Sequence, residues 1–129
     1  MGLFDNVFGK REKAPNKDTK SAWVSLTTLE QLDELKERSK EKTQLIFKHS
    51  TTCGISGMTW RMFKDSYQWE EHCDPYFLDI HAHRDISNAI ASIFNVRHES
   101  PQLLIIKGGE VSFHTSHGAI TDINIGDYL

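Results

Sequence analysis

From Trp23 onward the apolar positions alternate between two spacings, and each change of spacing marks a predicted element. Trp23 to Leu26 reads as a short strand. Thr27 or Thr28 then caps a helix running to about Glu41, with Leu29, Leu32 and Leu35 on one face. Gln44 to His49 is an apolar run of strand length and predicts a buried strand. From Ser56 to about Trp69 the spacing is helical again: Met58, Met62, Phe63 and Trp69 are expected to face the sheet, and Arg61, Lys64 and Asp65 water. Tyr76 to His81 predicts a third strand, and Ile86, Ile90, Ile93 and Phe94 the apolar face of a third helix entered through Asp85 or Ser87. Beyond Ser100-Pro101, the segments Gln102 to Lys107 and Val111 to Thr115 flank the turn Gly108-Gly109 and predict a hairpin whose first strand is buried. Thr121-Asp122 is expected to cap a short last helix.

Three strands separated by helices must run parallel through crossovers, and a terminal hairpin adds two strands antiparallel to each other. The expectation is an α/β domain with a mixed sheet of about five strands, three parallel plus a C-terminal hairpin, flanked by helices. That is the element order of the thioredoxin fold, which further predicts that Pro101 follows a cis peptide bond and faces the turn after the second strand. The domain is expected to span 22–129. Residues 1–21 read as a tail and linker: Leu3, Phe4, Val7 and Phe8 form a short apolar-spaced segment, followed by the polar tract Lys10 to Lys20. Nine residues are too few for a stable free helix, so that segment either docks on a surface or stays unstructured. Asn6 stands where a myristoylation signal needs Ser or Thr.

Composition narrows the class. An apolar content of 38% with 26% charged residues is that of an ordinary globular domain. A formal net charge of -3, with lysines scattered among acids, argues against nucleic acid and anionic membranes as partners. Two cysteines make no disulfide scaffold, and no apolar run has the length of a membrane span or signal core, so a cytoplasmic location is expected.

The candidate chemistry lies in Thr52-Cys53-Gly54-Ile55-Ser56, which joins the predicted buried strand to an amphipathic helix. A cysteine at a helix start meets unpaired backbone N–H groups and the positive end of the helix dipole, which stabilise thiolate over thiol. The alternative, a small buried hydrophobe, fits poorly with the polar flanks Ser50, Thr51, Thr52, Gly54 and Ser56. A dithiol redox motif would carry its second cysteine three positions on, where this chain has Ser56, so Cys53 cannot be resolved within the motif. Cys73 would stand at the other end of the intervening helix, too far for a disulfide, and reads as a bystander packed near Pro75. His81 and His83 share a face if both are in strand, but a pair is too few for a metal site, and none is predicted.

Four separated stretches resemble the monothiol bacilliredoxins: Phe47-Lys48-His49-Ser50-Thr51-Thr52-Cys53-Gly54-Ile55-Ser56; His83-Arg84 with Ser87-Asn88 and Ile90-Ala91; His98-Glu99-Ser100-Pro101-Gln102; and Ser116-His117 with Ile120-Thr121. The resemblance covers Trp23 to about Ile125 and departs at Gly54, where many members have proline. It implies a thiol-disulfide oxidoreductase that removes bacillithiol from mixed disulfides on client proteins, with bacillithiol as co-substrate and no bound cofactor. Cys53 would be the nucleophile. Thr52, Gly54, Ile55 and Ser56 would surround its thiolate, with the amides of Ile55 and Ser56 and the Thr52 hydroxyl as donors. The Ser100 backbone before Pro101 would pair with the thiol ligand as an extra strand. His98 would either acidify Cys53 as a cation or lie on the surface beside the cleft. Arg84 and His83 would either bind the malyl carboxylates of the ligand, or cap the third helix or form a surface ion pair. Cys53-Gly54-Ile55-Ser56 is also similar to the motif of monothiol glutaredoxins, which leaves an iron-sulfur carrier as an alternative. A catalytically silent thioredoxin-like adaptor is another.

Overall fold

The computed structural model describes residues 23–69 and 71–129; the predicted tail and linker lie outside the described residues. Five strands, β1 (Val24–Ser25), β2 (Thr43–His49), β3 (Cys73–Asp79), β4 (Gln102–Lys107) and β5 (Glu110–Ser116), form one sheet in the order β1-β3-β2-β4-β5. β3 runs parallel to both β1 and β2, while β4 runs antiparallel to β2 and to β5. Helices α1 (Leu29–Arg38), α2 (Gly54–Ser66) and α3 (Arg84–Ile93) flank it, and 3-10 turns follow at His117–Asp122 and Ile125–Tyr128. This is the thioredoxin-type mixed sheet that the element order predicts.

Strand alternation divides the interior in two. On one face of the sheet Ile46, Leu78, Leu104 and Ile106 pack with Leu32 and Leu35 of α1 and Ile86 and Ile90 of α3. On the other, Leu45, Phe47, Leu103 and Ile105 pack with Phe63, Tyr67, Ile120 and Ile125, ringed by Trp23, Trp60 and Phe77. Aromatic edges hold this second layer, with the Trp23 and Trp60 rings 4.9 Å apart and Phe47 and Trp60 5.0 Å apart.

Several boundaries differ from the sequence reading. Of the two threonines, Thr28 caps α1: its hydroxyl accepts from the Gln31 backbone N–H at 3.1 Å, and the Gln31 side-chain Oε1 accepts the Thr28 N–H at 3.1 Å. α1 ends at Arg38, not Glu41, because Ser39 is taken up by the hairpin tip, accepting the Gly108 N–H on its carbonyl and the Gly109 N–H on its hydroxyl. Both glycines have positive φ, as that tight turn requires. Leu29, Met58, Met62 and Ile93, all expected inside, are exposed. In α2 the buried stripe is Ser56, Thr59 and Phe63, with Tyr67 just beyond, so the helix is rotated away from its most apolar positions. β3 begins at Cys73 and runs through Pro75, which is tolerated because β1 starts to pair only at Tyr76. It ends at Asp79, whose carboxylate accepts the N–H groups of His81 and Ala82 and closes a turn. His83, not Asp85 or Ser87, stands at the N-cap of α3. Thr121 lies inside the His117–Asp122 turn and does not cap it.

Candidate functional site

β2 and β3 run in parallel with His49 opposite Asp79, so the turns that follow both strands emerge at the same edge of the sheet. β4 starts at that edge too, since Gln102 pairs with Lys48. Three loops therefore converge there: Ser50–Cys53, Ile80–His83 and Arg97–Pro101.

Cys53 is the N-cap residue of α2, in extended conformation (φ −113°, ψ 119°) with its thiol half-buried and making no capping hydrogen bond. Its N–H donates to the Ser50 carbonyl at 3.3 Å, and its own carbonyl accepts the Gly57 N–H at 3.2 Å. The amides of Gly54, Ile55 and Ser56 thus belong to the open first turn behind the sulfur, where no intrahelical acceptor exists for them. A Cβ on Gly54 would meet nothing within 4 Å, so glycine is not required there for space.

The polar flanks tie the turn down. Ser56 is fully buried, with its hydroxyl accepting the Ser50 N–H at 3.0 Å and lying 2.9 Å from His49 Nδ1. That hydroxyl points into the sheet edge and away from a role as thiolate donor. The Thr52 hydroxyl is likewise engaged, 3.2 Å from both the Ser50 hydroxyl and His81 Nε2, while Ser50 Oγ is 2.9 Å from the same histidine nitrogen. Burial pushes His49 below the ordinary imidazole value, which keeps it a neutral hydrogen-bonding partner for Ser56. The sequence reading gave His49 no role of its own and weighed His81 only as half of a metal pair. Their position just past the ends of two parallel strands was the available signal.

The third loop carries Ser100-Pro101, whose peptide bond is cis, as the fold predicts. Ser100 Oγ is buried with no hydrogen-bond partner among the described residues. His98 is exposed; its Nδ1 lies 2.7 Å from Lys48 Nζ and 3.3 Å from Ser87 Oγ, and partial desolvation, Lys48 and Arg84 together hold the ring below its ordinary pKa. Beside it lies a buried cation, Lys48, a β2 residue with no exposed surface, where burial lowers the ammonium to about 8. Its signal in the sequence was a single charge inside an apolar strand run. His81 and His83 lie in the turn after β3 and at the α3 N-cap, outside the strand. Among the described residues no group of three or more His, Cys, Asp or Glu side chains is arranged to hold a metal ion. No described helix is long and apolar enough to cross a membrane.

A family model described as monothiol bacilliredoxin BrxC matches residues 24–125. A solved structure described as a candidate oxidoreductase with a thioredoxin fold is similar at 30% identity and TM-score 0.73, covering 87% of this chain and 97% of that one. Oxidised mitochondrial thioredoxin 3 from Saccharomyces cerevisiae matches at 18% identity and TM-score 0.64, over 85% of this chain and 98% of its own. Oxidised thioredoxin O2 from Arabidopsis thaliana matches at 18% and 0.64, over 81% and 90%. At those identities the two thioredoxins speak for the fold alone.

Proposed function

The chain belongs to the monothiol bacilliredoxin family, with the thiol redox role that family and fold carry, and from that premise we propose that it removes bacillithiol from protein mixed disulfides through Cys53 alone. The observation that carries the reading is the N-cap thiol of α2 with Ser56 three positions on, its hydroxyl committed to His49 and the Ser50 amide.

The reaction runs in two exchanges. Cys53 thiolate attacks the bacillithiol sulfur of the mixed disulfide. A bond forms between Cys53 Sγ and that sulfur, the original disulfide breaks, and the client cysteine leaves as thiolate. Ser56 offers no second thiol, so the adduct on Cys53 waits for a bacillithiol thiolate, which attacks the bound bacillithiol sulfur, regenerates Cys53 thiolate and departs as bacillithiol disulfide. The open amides of the first turn of α2 stabilise the anionic sulfur in both steps. The Ser100 backbone receives the ligand as a short added strand. No bound cofactor takes part. Bacillithiolated client proteins and the low-molecular-weight thiol are the partners, and the setting is the reducing cytoplasm.

Intact mass after incubation with bacillithiol disulfide tests this. One added bacillithiol, mapped to Cys53 and absent from Cys53→Ser, is expected. An adduct on Cys73, or turnover retained by Cys53→Ser, would overturn it.

A further inference from the structure

Lys48 is out of place energetically. It sits near the end of the central strand β2 with no exposed surface, on the face that also carries Ile46, opposite the face that α2 covers. A buried ammonium is costly unless its hydrogens find acceptors, and an apolar residue of similar size commonly serves stability as well or better. The acceptors it finds all lead to one loop. Nζ donates to His98 Nδ1 at 2.7 Å and to Gln102 Oε1 at 3.0 Å. Gln102, directly across from Lys48 in the sheet, passes the tie on: its Nε2 donates to the Arg97 carbonyl at 3.0 Å, and its Oε1 also lies 3.4 Å from the Glu99 N–H. Arg97, His98 and Glu99 are thus held in succession, and the next residue is Ser100.

We propose that Lys48 is a positioning residue for the exchange reaction, its ammonium fixing the Arg97–Glu99 segment so that the Ser100 backbone is held ready for the thiol ligand. The proposal rests on the exchange reading above. The charged and titratable groups facing Lys48 agree with it. Glu99 in the loop favours the ammonium, and His98, kept neutral by partial desolvation, Lys48 and the Arg84 side chain of α3, offers Nδ1 as an acceptor. An ammonium bonded to Nδ1 places the ring proton on Nε2. Ser87 Oγ of α3 lies 3.3 Å from the same nitrogen. At neutral pH the ammonium form of Lys48 predominates, since burial lowers it only to about 8.

The test compares full-length wild type with Lys48→Met, which keeps length and removes the donors, and with Gln102→Leu, which cuts the same tie without touching the charge. Three readouts are taken: the His98 titration by NMR, amide hydrogen exchange at Glu99, and the rate with a peptide cysteine disulfide-linked to bacillithiol, divided by the rate of Cys53 alkylation by iodoacetamide. Alkylation needs no contact with Ser100. In Lys48→Met the His98 midpoint should rise, Glu99 amide exchange should speed up, and the rate ratio should fall about tenfold or more, the scale of one hydrogen bond to a charged group or of a small misplacement of the ligand. Gln102→Leu should lower the ratio as well. The melting temperature of Lys48→Met should be no lower than that of wild type, which separates positioning from support of the fold. An active wild type with an unchanged ratio in Lys48→Met, or unchanged protection at Glu99, overturns the proposal. A wild type inert toward the mixed disulfide overturns the exchange reading itself.

Discussion

The two ends of the β2–β3 pair each carry a cysteine, and they treat it in opposite ways. At the start of β3, Cys73 has no exposed surface, and its sulfur lies 3.1 Å from the Tyr67 hydroxyl within the aromatic layer. That end is braced by exposed charge: Asp74 receives Arg38 at 2.8 Å, Lys42 at 3.1 Å and the Gln44 amide at 2.8 Å. At the other end, Cys53 caps α2 and is half-buried, among hydrogen bonds that join Ser50, Ser56, His49 and His81. The first turn of α2 opens there, and the strand that leads to it ends next to a buried ammonium. One thiol is surrounded by packed rings and the other stands where a helix begins, the setting in which a thiolate is stabilised.

Exchanging the two sulfurs one at a time sharpens this contrast most. Cys53→Ser is expected to abolish exchange with a bacillithiol mixed disulfide, because a hydroxyl at this pH is no nucleophile without a base beside it. Cys73→Ser should exchange within about twofold of wild type while losing roughly 1 to 3 kcal/mol in urea unfolding, the cost of a more polar group in an apolar layer. Rates and denaturation midpoints of both variants, measured side by side, check it. Activity that tracked Cys73 would invert the comparison.

The next effect is on the alkaline side and belongs to the Cys53 end. Lys48 has a folded pKa lowered to about 8 from an ordinary 10.5, so the unfolded chain binds the extra proton between those values. Stability contributed by this group therefore rises with pH across that window, by up to on the order of 3 kcal/mol. Unfolding free energies of wild type and Lys48→Met at pH 7 and pH 10 should converge in favour of wild type as pH rises. A constant difference would show that the ammonium is not held out of water.

Ser56→Ala removes the group shared by the Ser50 amide and His49 Nδ1. Leaving a buried N–H unsatisfied should cost about 1 to 3 kcal/mol and loosen the Cys53 turn. Thermal unfolding and amide exchange at Ser50 read it. If Ser50 stays protected, the turn is held by something other than this hydroxyl.

The smallest effect is at the Cys73 end in acid. Burial alone would raise the Asp74 carboxyl, but hydrogen bonds from Gln44, Arg38 and Lys42 outweigh it and hold it below the ordinary value. Its contribution is present above the unfolded value and is lost as pH falls through the lower folded one. Asp74→Asn should cost below about 1 kcal/mol at pH 7, since Arg38 and Lys42 are solvent-exposed, and nothing at pH 2. Chemical denaturation at the two pH values reads the difference.

The order of elements, the hairpin at Gly108-Gly109, the place of Cys53 at a helix start and the loss of a resolving thiol at Ser56 were all legible in the chain, because apolar spacing, caps and turn residues act within a few positions of one another. Rotation of α2 was not: its Met58 and Met62 are exposed, while Ser56 and Thr59 are buried beside Phe63, the Ser56 hydroxyl meeting the Ser50 amide and His49. The start of β3 at Cys73 depended on β1 being too short to pair with Pro75. Lys48 and His98 show the division most clearly. The sequence could place a lysine in a buried strand and a histidine before Ser100-Pro101, but which of them is the cation follows from the two meeting across 50 positions. Charge state is set by burial and by neighbours from other elements, and only the folded chain decides those.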